Sequence, residues 1–499
     1  MIDRCMFVLR RELRLVEEIS LNGMSMMRYV VVGGGVSALS CVEEIRTIDE
    51  SANITLITAS PLLKIITNRQ LIGQLTESFD VAEEEASSAV QGLNVEVIND
   101  RVIGWHANDK CIVLKCGATV EYDKLCIATG GRPKSRWHHP LIISIRDTET
   151  VDRLREKMAY AKRIVVVGNG GIATEVVYEL KNIEIIWAIK HSSISATFFD
   201  EGAAEFFKPM LMDGHKPEAG GQPAVSKRFR ITVEKDSSTD GGDLIGCALG
   251  PQWASYADIT GSLKKRSVHV IYNVEMDAVV SVEEACNAKQ QNLCEGEWPL
   301  FIRLNNGQII GTDVLINATG VEPNSFLWKE QCDELALAPD QGILVDDHMM
   351  TSIPDVYACG DVCTAGWEWA KHWMQMRLWT QARQMGAYCG RAMALPEITL
   401  DFCFELFTHV TTFFGFKVIF LGRFNGENVE KPWHALMRIT KDQEYVKLII
   451  HDGRIQGAVL IGETELEDVI ENLILNQIDI TDQEDGLLDP NIDIGDYFD

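Results

Sequence analysis

An excess of positive charge is missing from this chain. Against 46 lysines and arginines stand 73 aspartates and glutamates, a formal net charge of −27. Direct binding to nucleic acid through phosphate neutralisation is therefore not expected. Long apolar runs are missing too. No stretch approaches the roughly 18 consecutive apolar residues that cross a bilayer as a helix, and the acidic C-terminal end has no basic face for lying on a membrane. No membrane association is expected. Paired cysteines are the third absence. Thirteen cysteines are scattered without a Cys-x-x-Cys or a zinc-ligand spacing, and no secretory signal is evident. That favours reduced thiols in cytosol or nucleus, with no metal site expected. What the chain has is length and ordinary apolar content, 499 residues at 46% hydrophobic, enough for two to four domains.

The informative stretch is Arg28 to Ala38. A short apolar strand, Tyr29 to Val32, runs into Gly33-x-Gly35-x-x-Ala38, and Leu39, Val42 and Ile45 then follow at helical spacing. This is the strand, glycine turn and helix of a dinucleotide-binding unit. Gly33 permits the turn, Gly35 lets the backbone approach a pyrophosphate, and Ala38 lets helix pack close on strand. The helix N-terminus offers free N–H groups and a positive dipole end to the phosphates. Asn53 to Ile57 reads as the second strand. It ends in Thr58 rather than the acid that ordinarily holds a ribose hydroxyl, and a threonine hydroxyl can still hydrogen-bond there. The acid-rich segment Glu77 to Glu85 reads as a solvated helix. Tyr122 to Gly130 is an apolar strand ending in Ala128-Thr129-Gly130.

The pattern then repeats. Arg163 to Ala173 is again a strand followed by Gly168-x-Gly170-x-x-Ala173, with Glu175 two residues later. Its second strand, Ile183 to Ile186, ends at Trp187 where an acid would select NAD, with Lys190 and His191 just beyond. NADH versus NADPH stays open. Asp313 to Gly320 repeats the Ala-Thr-Gly ending, so the whole nucleotide-binding unit is duplicated. Tyr357-Ala-Cys-Gly360-Asp361 follows, then β-branched and aromatic strands from Asp401 and a helix from Glu463 to Leu475.

Those five motifs, in that order, resemble the pyridine nucleotide-disulphide oxidoreductases, flavoproteins with two dinucleotide-binding domains; the resemblance covers residues 28 to about 475. It implies an α/β fold with two Rossmann-like domains, one for FAD and one for NAD(P), the second inserted in the first, plus a C-terminal α+β domain. The expected division is 1–27 a disordered extension, 28–150 with 315–398 the FAD domain, and 151–314 the NAD(P) domain. Within the latter, residues of about 216–262, rich in Pro, Gly, Ser and Asp, read as a mobile insertion. Residues 399–480 form the C-terminal domain and 481–499 an acidic tail. By resemblance, Gly33, Gly35, Ala38, Thr58, Thr129, Gly130, Gly360 and Asp361 serve FAD. Gly168, Gly170, Ala173 and Gly320 serve the nicotinamide nucleotide. A lysine after the first domain's second strand, here Lys64 in an atypical loop, pairs in such proteins with a glutamate at the position of Glu175, beside the flavin.

The departure is as informative as the match. Family members that reduce disulfides carry a cysteine pair after the first domain's second strand or inside the second domain. Ser60 to Gly73 and Gly168 to Lys190 contain no cysteine. The expectation is an FAD-dependent NAD(P)H oxidoreductase that passes electrons from reduced flavin directly to an acceptor. Its rival is a scaffold or conformational switch with little turnover. The resemblance further implies oxidative-stress protection of a partner, the tRNA ligase complex, in cytoplasm and nucleus. Cys359 and Cys363 read as packed behind a strand. Trp367, Trp369, Trp373 and Trp379 read as packing, and His409 and His434 as structural rather than proton-donating.

Overall fold

The computed structural model describes residues 27–146, 148–213, 226–234, 260–287, 296–395 and 397–492. The N-terminal extension, apart from Met27, lies outside them.

Two parallel sheets carry the duplication. In the first, the order is Val356–Ala358, Lys124–Ile127, Arg28–Val32, Asn53–Thr58, Glu96–Asn99. In the second it is Ile142–Ile143, Val314–Asn317, Arg163–Val167, Glu184–Ala188, Ser267–Ile271. Near-continuous apolar strands such as Tyr-Val-Val-Val and Ile-Val-Val-Val suit a sheet covered on both faces. In each sheet the glycine-bearing strand lies between the strand that ends in Ala-Thr-Gly and the second strand of its own unit. Register lines up the carboxyl ends: Val32 faces Ile57 on one side and Ile127 on the other, and Ala358 faces Ile127. Every glycine motif therefore emerges from the same edge.

The two domains are joined by a ribbon. Beyond the first Ala-Thr-Gly, Gly131–Pro133 pairs antiparallel with Val321–Pro323, which follows the second. Both chain crossings thus run side by side, fastened by Lys134 N–H to Gly320 O (3.0 Å) and Asn324 N–H to Gly130 O (2.9 Å). Ile142–Ile143 already pairs with Val314–Asn317, so the crossing comes earlier than residue 150.

The C-terminal sheet has six antiparallel strands, and one comes from elsewhere. Ser226–Val233, inside the segment read as an unstructured insertion, pairs along its length with Trp433–Thr440. A strand of Ser-Lys-Arg-Phe-Arg-Ile-Thr-Val carries enough β-branched and aromatic residues to extend an existing edge. Isolated by Gly- and Ser-rich flanks, it gives no sequence signal. Residues 214–225 and 235–259 of that segment lie outside the described ones. The second correction is Glu77–Glu85, a strand rather than a helix: it pairs with Leu62–Leu71, Glu77 is buried against Arg69 and Arg383, and Glu85 alone of its acids is exposed.

One face of the six-stranded sheet meets the second domain through phenylalanines, Phe198, Phe199 and Phe207 against Phe413, Phe414 and Phe420. The other face is covered by helix Glu467–Leu475 and by the start of the acidic tail, where Leu487 and Leu488 are 2% and 3% exposed. That part of the tail is docked, contrary to its composition. Glu484 meets Arg230 at 3.0 Å and Asp489 meets Arg228 at 3.4 Å, tying the tail to the inserted strand. Residues 493–499 lie outside the described ones. Leu488→Ala should cost about 2–5 kcal/mol, the range for emptying a buried leucine site. A drop in the urea midpoint of the C-terminal domain checks this; a midpoint unchanged from wild type contradicts the docked tail.

Candidate active site

The first glycine turn is forced by sterics. Gly33 has φ of +147°, and a Cβ there would lie 2.1 Å from the carbonyl oxygen of Ala128. Its counterpart Gly168, φ +129°, would place a Cβ 2.0 Å from the oxygen of Ala318. The turn is thus pressed against the Ala-Thr-Gly strand in both domains, which is why the two motifs come as a pair. Gly35, at the N-cap of helix Val36–Ile48, differs: a Cβ there meets nothing within 4 Å. Its freedom is needed by whatever occupies the space outside. Ala38 and Ala173 are fully buried under their helices.

That space is a cleft of about 850 Å³ lined by Gly33 to Ser37, Thr58, Lys64, Thr129, Gly130, Arg146, Asp361, Arg377 and Trp379, among others. A second cleft, about 460 Å³, is lined by Gly168, Gly170, Lys190, His191 and Gly320. Pro133, Ile145, Ile172 and Val321 line both. The two clefts share a wall, and Ile172 belongs to the helix that starts at the second glycine turn.

Asp361, read from the sequence as an FAD-binding residue, lines the first cleft. Burial pushes the Asp361 carboxyl up to about 6, against the pull of Arg377 and Arg146. Arg377 is itself fixed, its Nε donating to Asp361 O at 2.9 Å and an Nη meeting Asp340 at 2.7 Å. Gly360, φ +75°, holds the turn before the acid, where a Cβ would strike Ser37 Oγ at 2.5 Å. Arg377 and Arg146 were missed by sequence reasoning. Arginine in a helix-leading loop carries no spacing signal of its own.

Other sequence expectations change. Thr58 lines the cleft, yet its hydroxyl donates to Ser60 O at 2.9 Å within its own turn, so it is engaged locally rather than offered to a ribose. Trp187 is not the end of its strand: the strand continues to Ala188, and Trp187 is buried, its indole N–H donating to Gly168 O at 2.7 Å. Lys190 and His191 instead reach the second cleft. His409 is buried among Phe198 and Phe420, with Nδ1 and Thr380 Oγ1 3.1 Å apart, and burial pushes its imidazole down to about 3. His434 contacts Glu484 of the tail at 2.6 Å. Neither histidine lines a cleft. Trp367 and Trp369 pack on Trp373; Trp379 alone of the four reaches the first cleft.

Lys64 lies on strand Leu62–Leu71, not a loop, and its backbone N–H donates to Gly34 O at 2.9 Å. Its ammonium sits 3.1 Å from Glu83 on the facing strand and 5.2 Å from the centre of the Trp379 ring. Lys64 therefore pairs with Glu83 in place of the expected Glu175, which sits in helix Gly171–Glu179 and lines neither cleft. Antiparallel register explains the exchange, because Lys64 and Glu83 are direct cross-strand partners. The hairpin is anchored at its tip, where buried Glu471 of the C-terminal domain accepts from the N–H groups of Leu75 (2.7 Å) and Thr76 (2.9 Å).

A family model described as pyridine nucleotide-disulphide oxidoreductase matches residues 27–213 and 253–386. The chain belongs to that family. A second model, the rubredoxin NAD+ reductase C-terminal domain, matches residues 410–478. The mouse protein called pyridine nucleotide-disulfide oxidoreductase domain-containing protein 1 is 42% identical over 494 residues, covering 94% of this chain and 98% of that one. The zebrafish protein of the same description is 44% identical over 487 residues, covering 95% and 98%. Among solved structures, a ferredoxin reductase from Rhodopseudomonas palustris matches with a TM-score of 0.67 at 15% identity, over 94% of this chain and 99% of that one; at that identity the likeness is one of fold. Family membership brings FAD and NAD(P)H as cofactors. The clefts fit them: each has a glycine turn opening on a helix N-terminus, and the open flank of Gly35 leaves room for a pyrophosphate.

In the rate of flavin reduction by NAD(P)H, Lys64→Met and Glu83→Gln should be non-additive by on the order of 1 kcal/mol of barrier. Lys64→Met and Glu175→Gln should instead add to within about 0.5 kcal/mol. Stopped-flow traces showing the coupling with Glu175 and not Glu83 would restore the sequence expectation.

Proposed function

We propose that this FAD-dependent NAD(P)H oxidoreductase passes electrons from reduced flavin straight to its acceptor, with no dithiol between them. The observation that carries the reading is the pair of clefts with a common wall, neither of which is lined by a cysteine among the described residues. Bound FAD supplies two-electron acceptance from the nicotinamide and onward delivery. The chain's own residues do the rest. Gly33, Gly35 and Ala38 bring the first helix N-terminus to the FAD pyrophosphate, and Thr129 and Gly130 flank its adenosine half. Asp361 binds a ribityl hydroxyl, and Arg377 holds the backbone of that turn. Gly168, Gly170, Ala173 and Gly320 would seat the nicotinamide nucleotide across the wall to which Ile172 and Val321 contribute apolar side chains. Lys64, held by Glu83 and 5.2 Å from the centre of the Trp379 ring, would bring a positive charge to the cleft that holds FAD, a positioned charge of the kind that lowers barriers.

The role in protecting a partner from oxidation, with the tRNA ligase complex as that partner, and residence in cytoplasm and nucleus are part of the same proposal. The sequence resemblance supports them. Co-purification of the native protein from cytosolic and nuclear fractions with the ligase complex tests them, and its absence from both would remove this part.

The electron route has a direct test. Anaerobic titration of the flavoprotein with NADH or NADPH should bleach the flavin with two electrons and show no thiolate-to-flavin charge-transfer band. Alkylated protein should still turn over with artificial acceptors. Loss of turnover on alkylation, with the fold intact, would bring a thiol back into the route. Flavin that is reduced yet barely reoxidised by any acceptor would favour a scaffold over an enzyme.

The glycines separate folding from binding. Gly35→Val should give a folded protein with little flavin, because its side chain projects into open cleft. Gly33→Ala should fail to fold, because its Cβ meets backbone. Flavin absorbance per polypeptide and circular dichroism read the two effects, and full flavin occupancy in Gly35→Val would contradict the first cleft as the FAD site.

A further inference from the structure

Sulfur collects in one place in this molecule, at cysteines that line neither cleft. Cys41 projects from helix Val36–Ile48, Cys126 from strand Lys124–Ile127, Cys359 from the end of strand Val356–Ala358, and Cys389 from helix Trp379–Ala394. All four are 0% exposed. The Sγ atoms of Cys41, Cys126 and Cys389 all lie within 4.8 Å of one another, with Cys126 and Cys389 at 3.7 Å. Met393, one helical turn beyond Cys389, brings its thioether sulfur to 3.8 Å from Cys41. Cys359 stands 3.5 Å from Cys126, and its thiol points to Ser37 O at 3.8 Å.

The approach is built by the backbone. A Cβ on Gly390 would lie 2.4 Å from Cys41 O, and one on Gly386 would lie 2.3 Å from Ser37 O. Those two glycines let the helices close until the sulfurs meet. Among the described residues, no histidine or carboxylate belongs to the group. Thiolates bind metal at about 2.3 Å, which makes the edge between two ligands of a tetrahedral centre about 3.8 Å. The observed 3.7 Å separation matches it. Thiolate and thioether donors select soft ions.

We propose that Cys41, Cys126 and Cys389 bind a thiophilic closed-shell metal ion, Zn(II) or Cu(I), with the Met393 thioether as fourth donor. Binding exchanges three thiol protons for one cation and moves no electrons. Cys359 adjoins the site as a neighbour, its Sγ 3.5 Å from that of Cys126. The ion fastens the two helices to the sheet directly behind the first glycine turn, and it enters as the chain folds, since no ligand sulfur is exposed.

The test needs no activity measurement. Flavin-loaded protein is purified without a metal-affinity step from cells supplied with zinc or with copper, then dialysed against EDTA or a Cu(I) chelator. Elemental analysis should find about one equivalent of one metal per chain, and X-ray absorption should show a sulfur-only shell at about 2.3 Å. Cys389→Ser should lower the content at least tenfold, while Cys286→Ser, at an exposed cysteine outside the group, should not. Should Cys389→Ser fail to fold, Met393→Leu and the wild-type absorption shell decide. Under a tenth of an equivalent with both metals, a nitrogen or oxygen shell, or full retention in Cys389→Ser would each leave the cysteines as core filling and overturn the site.

Discussion

The fold depends on one close contact made twice: a glycine without a side chain lying against the carbonyl of an alanine one strand away. Gly33 on Ala128 and Gly168 on Ala318 set the height at which each turn leaves its sheet. That height decides where the following helix begins and where its unpaired N–H groups point. Because the same contact recurs, the two clefts form on equivalent edges. The strands that leave both Ala-Thr-Gly segments can then pair with each other and bring the clefts to a common wall.

Much of this was legible in the sequence, because it is local. A β-branched run, a glycine spacing and an amphipathic helix are neighbours along the chain, and both units showed them at Arg28–Ala38 and Arg163–Ala173. What failed was whatever depended on distant partners. Glu77–Glu85 looks like a solvated helix until it is paired with Leu62–Leu71, and Ser226–Val233 is a strand only because Trp433–Thr440 offers an edge. The tail's acids concealed Leu487 and Leu488, whose burial needs the sheet above them. Lys64 found a cross-strand acid that sequence spacing could not supply.

The third domain braces both of the others. Its sheet is cemented to the nicotinamide-binding domain by phenylalanines and by the Lys447–Asp200 pair at 2.6 Å. Its helix, through Glu471, holds the hairpin that carries Lys64. Cysteine grouping follows the same lesson as the strands. Cys41, Cys126 and Cys389 are far apart in number and contain no ligand spacing, yet three elements of one domain deliver them to one point.

The antiparallel ribbon has a consequence for how such a molecule comes to exist. Since Gly131–Pro133 and Val321–Pro323 are paired neighbours, the inserted domain begins and ends one strand spacing apart. The host sheet carries nearly two hundred residues of guest as if they were a hairpin loop, and closing that loop costs entropy that grows only with the logarithm of its length. A domain held by a stem of this kind can be lengthened, exchanged or remodelled for another nucleotide while the host's strand order stays as it was.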